Sequence, residues 1–315
     1  MEWAIHVRDR GEIGARLSLT EVDRFDAGAK LHPSVALAAK LIEEYFGEVA
    51  FSRCVYGNEF CEHLIPERER LEEVLAAAHE QDLNLTLVTP YVSDAGIALL
   101  HPLLDLLNED CGTHEVVFND WGVLNILRRE FTNLTPVQGR LMNKSLRDPR
   151  ITGVYGSSEA PAAALVSLRR SNLDCSSYTS FLSSVGVESV ELDNLPQGLD
   201  LDFTEAEMSA ALYLPFGFIS TSRICMAAGI HYPRPEKFQP AAPCHHECQT
   251  HLLEYTYTNS PFDNRDQRFY LKGNTYFYVH SESMIRGALE QARAGLINRI
   301  VFQPRLPMTW ERDRN

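Results

Sequence analysis

The feature of this sequence that most constrains its fold is a regular alternation of short apolar segments with longer amphipathic ones. Residues 34–47 (SVALAAKLIEEYFG) carry apolar side chains at helical spacing and end at a glycine. A short apolar run follows at 48–54 (EVAFSRC), and residues 66–81 (PERERLEEVLAAAHEQ) open with proline and acids, as a helix does. The next strand pattern is 83–90 (LNLTLVTP). Repeated strand–helix units of this size predict an α/β fold built on a parallel sheet.

The same alternation continues through most of the chain. The further predicted segments are a helix at 96–109 with a kink at Pro102, a strand at 114–120, a helix at 121–131, a strand end running into a helix at 172–186, a strand at 187–194, a helix at 283–296 and a strand at 298–304. These units are numerous enough for a (β/α) TIM-barrel-like domain, complete or incomplete, spanning residues 1–315. An open doubly wound sheet is the alternative, but no Gly-rich phosphate fingerprint follows the first strand.

Two stretches interrupt this rhythm. Residues 139–163 are rich in Gly, Ser and Pro, and residues 225–268 form a long cysteine-bearing loop near the C-terminal third of the chain. Loops of this length inside a compact domain are usually functional or disordered. Shortly after the second loop, the segment YLKGNTYFYV predicts a β-hairpin that turns at Gly273–Asn274.

Charge and hydropathy exclude several classes of function. The formal net charge is −14, which disfavours a dedicated nucleic-acid binder because neutralising phosphates takes a basic surface. No apolar run approaches the roughly 20 residues that a membrane span needs. The N-terminal residues MEWAIHVRDR lack the basic start and apolar core of a signal peptide. We therefore expect a cytoplasmic protein without a membrane span.

Seven cysteines give the sharpest chemical signal. In a cytoplasmic chain they indicate metal binding or catalysis rather than disulfides, and isolated ones are usually small buried residues. We predict that packing role for Cys54, Cys111 and Cys175. The Pro-rich stretch from Cys225 to Cys248 folds poorly by itself, and a metal would hold it in place.

Two kinds of metal site remain open on the residues alone. Zinc accepts mixed sulfur and nitrogen ligands, and the segment CHHECQTH offers both, but the usual zinc-finger spacings are absent. A zinc protease motif is excluded because His246 and His251 lie five positions apart rather than four. An iron–sulfur cluster needs four thiolates, generally from one loop region plus a remote residue. The three-cysteine motif of radical-SAM enzymes is not met, since His251 stands where its third cysteine would fall.

The order of these motifs resembles the collagenase-like peptidase family U32, and in particular its UbiU/UbiV-type iron–sulfur members. The resemblance is distant and spans most of the chain. It is carried by the segments YGNEFC, VVFNDWGVLNILRREF, LDCSSYTSFLSSVGVESVELDNL, STSRIC, CHHEC and YLKGNTYF. The sequence departs from the family in one extra residue before Cys225, in the enlarged loop around GRLMNKSLRDPR and in lacking room for a second domain.

The resemblance implies a 4Fe–4S cluster whose ligands here would be Cys61, Cys225, Cys244 and Cys248. Cys61 closely follows the predicted strand at 48–54, which places it near the C-terminal mouth of a barrel, where active sites of this fold gather. The implied activity is oxygen-independent hydroxylation of a ubiquinone-precursor-like or other small aromatic molecule. Family members work in pairs, so the resemblance also implies a related protein subunit as partner and a small anionic or aromatic substrate.

Three further residues are candidates for catalysis. Asn119 and Asp120 follow a predicted strand, where a carboxylate can hold substrate or move a proton, although Asp120 is also a natural cap for the helix that begins at Trp121. Arg223 precedes Cys225 and could raise the reduction potential of a nearby cluster, or form a plain salt bridge. Glu59 is interpreted as a solvated loop acid.

A small group of basic residues stands out in this acidic chain. Its members are Arg140, Lys144, Arg147 and Arg150. Arginines bind carboxylates and phosphates through paired hydrogen bonds, so an anionic substrate could dock here. Surface ion pairs on a solvated loop would explain the same residues.

Two other functions remain as alternatives. A peptidase of the collagenase-like family would need an activated nucleophile, yet neither G-x-S-x-G nor H-E-x-x-H occurs. A non-catalytic binding module could use a metal, such as zinc, only to staple the long loop.

Overall fold

Eight parallel strands close into a barrel in the computed structural model of the chain, which describes residues 1–13, 32–149, 161–199, 208–238, 243–256 and 268–309. The barrel strands are β1 (Glu2–His6), β2 (Arg53–Gly57), β3 (Asn84–Val88), β4 (Glu115–Phe118), β5 (Thr135–Gln138), β6 (Ser189–Asp193), β7 (Ser209–Leu214) and β12 (Arg299–Phe302). β1 pairs with both β2 and β12, which closes the ring. The predicted TIM-barrel-like fold is therefore confirmed, and the barrel is complete.

Helices follow most of these strands and cover the outside of the barrel. They are α1 (Pro33–Phe46), α2 (Arg68–Glu80), α3 (Asp94–Glu109), α4 (Trp121–Glu130), α5 (Ala162–Leu168), α6 (Ser176–Ser184) and α7 (Glu282–Arg293). α7 shows why the sequence forms them: its buried residues Ile285, Ala288, Leu289 and Ala292 recur at helical spacing and so share one face. Pro102 lies inside α3, where a kink was predicted.

A second sheet is inserted between β7 and α7. Its four antiparallel strands lie in the order β8 (Phe216–Thr221), β11 (Thr275–Val279), β10 (Arg268–Lys272) and β9 (Leu253–Thr256). β10 and β11 pair from Lys272 opposite Thr275, so the predicted hairpin turn at Gly273–Asn274 is confirmed. The inserted sheet packs on the C-terminal mouth through Phe60, which contacts the rings of Phe218 and Phe277 at 5.4 and 5.1 Å between centroids.

Ion pairs close the opposite end of the barrel. Glu2 accepts from Arg53 at 2.7 Å and from Arg299 at 2.6 Å, and Arg299 also reaches Glu115 through two contacts of 2.7 Å. Above this layer lies an apolar one, formed by Ala4, Val55, Val88, Val117, Val137, Ala211, Tyr213 and Val301. The barrel is thus packed from its lower end to its middle, and the inserted sheet lies over its other end, the C-terminal mouth.

Several predicted elements differ from the structure. The strand expected at 48–54 begins only at Arg53, and the strand end expected at 172 is a 3-10 turn, Asn172–Asp174. The loop at 225–268 contains β9 and three short 3-10 turns among its described residues. Within the parts of the chain that the structure describes, no helix combines the length and apolar character needed to cross a membrane.

Candidate metal centre at the barrel mouth

The turn after β2 brings Cys61 to the C-terminal rim. The side-chain oxygen of Asn58 accepts hydrogen bonds from the backbone N–H groups of Phe60 at 2.9 Å and Cys61 at 3.1 Å, which fixes this turn. Phe60 is fully buried under the inserted sheet. Cys61 itself is partly buried and begins the 3-10 turn Glu62–Leu64.

The other three cysteines of the predicted set lie in the inserted segment. Cys225 follows β8, and Cys244 and Cys248 precede β9, where Cys248 lies in the 3-10 turn Glu247–Gln249. Cys248 is buried, and Cys225 and Cys244 are partly exposed. The inserted sheet covers the mouth of the barrel, so all three lie on the rim that Cys61 occupies.

Electrostatics show that Cys61 lies beside the other three. The pKa of the Cys61 thiol is raised to about 12, chiefly by burial. The thiols of Cys244, Cys225 and Cys248 contribute to this rise, and the His63 N–H acts against it. Burial likewise raises the pKa of Cys225 and of Cys248, and the neighbouring thiols add to both shifts. Cys61 and the three cysteines of the inserted segment therefore lie close enough together for charge on one sulfur to be felt by another.

Hydrogen-bond donors point at three of these sulfur atoms. The backbone N–H of Ala228 lies 3.4 Å from the Cys225 Sγ, and the side-chain amide of Gln249 lies 3.1 Å from the Cys248 Sγ. The backbone N–H of His63 is the donor to Cys61. Such donors stabilise thiolates and tune the potential of sulfur-ligated metals.

The four sulfur atoms are not already arranged as the ligands of one ion. No three of these four sulfurs, all of them in described residues, lie within 4.8 Å of one another. A single tetrahedral zinc with bonds near 2.3 Å would hold its sulfur ligands about 3.8 Å apart, so the side chains would have to move to form such a site.

The hairpin turn at Gly273–Asn274 holds the cysteine-bearing segments together. The side-chain nitrogen of Asn274 lies 2.7 Å from the carbonyl oxygen of Phe60 and 2.7 Å from that of Ser222. It thereby joins the residue before Cys61 to a residue three positions before Cys225. The same nitrogen lies 2.9 Å from the hydroxyl of Tyr91, which donates to the Ser222 carbonyl at 2.7 Å.

Gly273, the other residue of the turn, brings the backbone of the hairpin close to the segments of Cys225 and Cys248. Its φ is +61°, and its carbonyl oxygen accepts from the N–H of Ala227 at 3.2 Å. A Cβ on Gly273 would lie 3.2 Å from the Cβ of Cys248 and 2.6 Å from the methyl carbon of Met308. Only glycine combines this left-handed backbone with so close an approach.

The three predicted catalytic residues differ in their surroundings. Asp120 caps α4 and accepts from the N–H of Gly122 at 2.7 Å, so the capping interpretation is confirmed. The buried amide of Asn119 donates to the Thr89 carbonyl at 2.8 Å and accepts from the Leu141 N–H at 3.0 Å. Their catalytic role stays a prediction.

Arg223 lies against the aromatic ring of Tyr91, with 5.4 Å between its guanidinium carbon and the ring centroid. It also donates to the carbonyl of Val92 at 3.3 Å. Since Tyr91 joins the Asn274 contacts, Arg223 lies close to the cysteine segments. Its influence on a cluster remains a prediction.

A cavity of about 450 Å³ opens beside these residues. Tyr91 and Phe218 supply aromatic surface, Asn119, Ser220 and Thr221 supply polar groups, and Lys144 supplies an exposed cation. This volume lies within the usual range for sites of small ligands. Because Tyr91 is shared, the cavity adjoins the cysteine centre.

Buried charges lie directly under this cavity. Arg140 is fully buried, contacts both carboxylate oxygens of Glu59 and reaches Asp193 at 2.7 Å. Arg147 binds the other oxygen of Asp193 at 2.9 Å. The interpretation of Glu59 as a solvated loop acid is therefore wrong. Burial raises its pKa, and the Arg140 guanidinium acts against that shift.

The basic group of the sequence is accordingly not one surface patch. Arg140 and Arg147 are buried and paired, only Lys144 is exposed, and Arg150 lies outside the described residues. Below them, burial raises the pKa of Glu191 to about 8, and the hydroxyl of Tyr213 donates to this carboxyl group at 2.6 Å. The sequence at 187–194 predicts a strand but does not indicate that Glu191 is buried inside the barrel.

The three remaining cysteines divide differently from the prediction. Cys54 is fully buried in β2, which confirms its packing role. Cys111 and Cys175 are exposed, so the prediction that they are buried is wrong. Cys111 lies between α3 and β4, and Cys175 caps α6 without a side-chain hydrogen bond to the helix.

Comparisons with known proteins find no family model and no curated protein that match this sequence. Solved structures with similar folds include a U32 peptidase, with 12% identity over 96% of this chain and 92% of that one and a TM-score of 0.38. A glycoside hydrolase family 18 N-acetylglucosaminidase from Paenibacillus barengoltzii has 11% identity over 96% and 94%, with a TM-score of 0.36. A Group IV chitinase from Ostrinia furnacalis has 9% identity over 96% and 92%, with a TM-score of 0.36. No conclusion about chemistry follows from likenesses this low.

Proposed function

We propose that this chain is an iron–sulfur redox protein that holds a 4Fe–4S cluster through Cys61, Cys225, Cys244 and Cys248. The observation that supports it most is the meeting of four cysteine thiols from two remote parts of the chain at the barrel mouth. The hydrogen-bond donors to three of the sulfurs also support a metal centre with thiolate ligands. When bound, such a cluster accepts and donates single electrons.

The proposed reaction is oxygen-independent hydroxylation of a small aromatic or anionic molecule in the neighbouring cavity. A co-substrate would donate its oxygen atom to the C–H bond and would itself be reduced by two electrons, which balances the oxidation of C–H to C–OH. Tyr91 and Phe218 offer apolar faces to a ring, and Lys144 offers a charge to an anionic substituent. Tyr91 belongs to the wall of the cavity and to the hydrogen-bonded contact around Asn274. A substrate there would lie beside the cysteine centre, so an electron would travel only a short distance between the two. A related subunit as partner remains part of this proposal.

The surroundings of Cys61 disfavour a peptidase mechanism. A cysteine nucleophile needs a lowered pKa and a histidine partner, whereas burial raises the pKa of Cys61 to about 12. Metal content and peptide cleavage distinguish the proposed redox protein from the two alternatives, the peptidase and the metal-stapled module.

The test is the metal content of anaerobically purified protein. We expect about four iron and about four acid-labile sulfide per chain, with a brown colour. Changing any one of the four cysteines to serine should lower the iron content strongly. Cys175→Ser should leave it unchanged, because this residue is exposed and is not among the thiols that shift the pKa of Cys61. Stoichiometric zinc instead of iron would favour the module, and peptide cleavage by metal-free protein would favour the peptidase.

A further inference from the structure

A second group of metal-binding side chains lies at the opposite end of the barrel. His79 lies in the last turn of α2, Asp110 caps the C-terminus of α3, and His114 immediately precedes β4. The Nε2 atom of His114 lies 2.7 Å from the Asp110 Oδ2, and the Nε2 atom of His79 lies 3.2 Å from that oxygen. These three ligand atoms all lie within 4.8 Å of one another.

The spacing suits one small cation. Zinc bonds to nitrogen and carboxylate oxygen measure about 2.0–2.2 Å, so tetrahedral ligands lie roughly 3.3–3.6 Å apart. Modest shifts of these side chains would meet that distance. Two histidines and one carboxylate are also a donor set that transition metals use with further positions left open to solvent.

The burial of His114 fixes the orientation of its ring. The side chain is almost wholly buried, and its Nε2 atom faces the Asp110 Oδ2. Nε2 is therefore the ring atom that would bind a metal held beside Asp110.

The loop that carries these ligands folds tightly over them. Gly112 donates its N–H to the Asp110 Oδ2 at 2.8 Å. A Cβ on Gly112 would lie 2.8 Å from the His114 Nε2 and 2.9 Å from the Asp110 Oδ2. The ligand atoms are thus held in place by the backbone, while exposed His79 leaves a path from solvent.

We propose that His79, Asp110 and His114 form a binding site for a divalent transition-metal ion such as Zn²⁺. Bound metal would tie the ends of α2 and α3 to the start of β4, on the face of the barrel where stability rather than catalysis resides. The site is separate from the cysteine centre and does not depend on the proposed function.

The experiment compares Zn²⁺ binding by the anaerobically purified protein and by its His79→Ala variant. His79 is exposed at a helix end, so the variant should fold. The native protein should bind about one equivalent of Zn²⁺ more than the variant. At 100-fold over its dissociation constant, Zn²⁺ should raise the melting temperature by about 5 °C in the native protein only. The matched control, His101→Ala, removes a histidine that contacts Glu130 and Phe131, away from this group, and it should bind Zn²⁺ as the native protein does.

A cobalt titration separates this site from the cysteines. Co²⁺ bound by nitrogen and oxygen should give weak visible absorption without intense thiolate-to-metal bands, and this signal should persist in Cys61→Ser and vanish in His79→Ala. Equal Zn²⁺ equivalents and equal melting shifts in the native protein and His79→Ala would overturn the proposal. So would loss of the extra equivalent in Cys61→Ser alone, because the ion would then belong to the cysteines.

Discussion

Removing the side chain of Asn274 should loosen the cysteine centre without touching a cysteine. In Asn274→Ala the carbonyl of Phe60 loses its amide donor at 2.7 Å in a buried position, and the Ser222 carbonyl keeps only the hydroxyl of Tyr91. A lost buried hydrogen bond costs about 1 kcal/mol, and a buried acceptor left without a donor costs about 1–3 kcal/mol. We therefore expect the free energy of unfolding to fall by about 2–4 kcal/mol.

The assay has two parts, because Asn274 joins the segments of Cys61 and Cys225. Urea unfolding under anaerobic conditions should show a lower midpoint with an unchanged slope. Iron and sulfide content, and the lifetime of the visible spectrum in air, should also fall. The matched control is Asn133→Ala, which removes an exposed amide bonded to the Asn108 carbonyl at the other end of the barrel. Reduced stability with native iron content and native lifetime would refute the role given to Asn274.

Two further predictions concern buried charge. Arg140→Met should lower the free energy of unfolding by about 3–5 kcal/mol, because Glu59 is left buried without its partner and Asp193 keeps only one of its two arginines. Urea unfolding checks this. The control Arg268→Met removes an exposed arginine paired with Glu254 and should change stability little. Burial lowers the pKa of His280 to about 3. Below about pH 6.5 the His280 imidazole therefore binds a proton in the unfolded chain but stays neutral in the folded protein. The free energy of unfolding should therefore fall as the pH is lowered from 6.5 towards 3, and His280 should account for about 2 kcal/mol of this fall between pH 7 and pH 5. In His280→Phe this contribution of His280 should disappear. Equal pH dependence of stability in the two proteins would contradict the prediction.

The barrel could be predicted from sequence because the apolar pattern of each helix and strand lies within a short stretch of the chain. Apolar spacing within α1 or α7 reports which face each helix buries, and short apolar runs mark buried strands such as β4. Strands with a polar or proline-containing start were missed: β1 begins with Glu2, and β5 contains Pro136. The sequence pattern places this strand at 48–54, earlier than β2 (Arg53–Gly57), because Val49, Ala50 and Phe51 are also apolar.

The site was less predictable because its contacts are remote. The pairing of Glu59 with Arg140 and of Arg140 with Asp193 joins residues from three strand ends, so nothing near Glu59 in sequence indicates burial. The hairpin at Gly273–Asn274 could be predicted from its turn chemistry. Its contact with the Phe60 carbonyl could not, because that depends on how the inserted sheet sits on the barrel.

The ion pairs among Glu2, Arg53, Glu115 and Arg299 lie beneath the apolar layer, so side chains fill the barrel axis from its lower end to its middle. A small molecule or ion bound at one face of the barrel could not pass along this axis to the other face. The two faces would therefore exchange their ligands with solvent independently of each other.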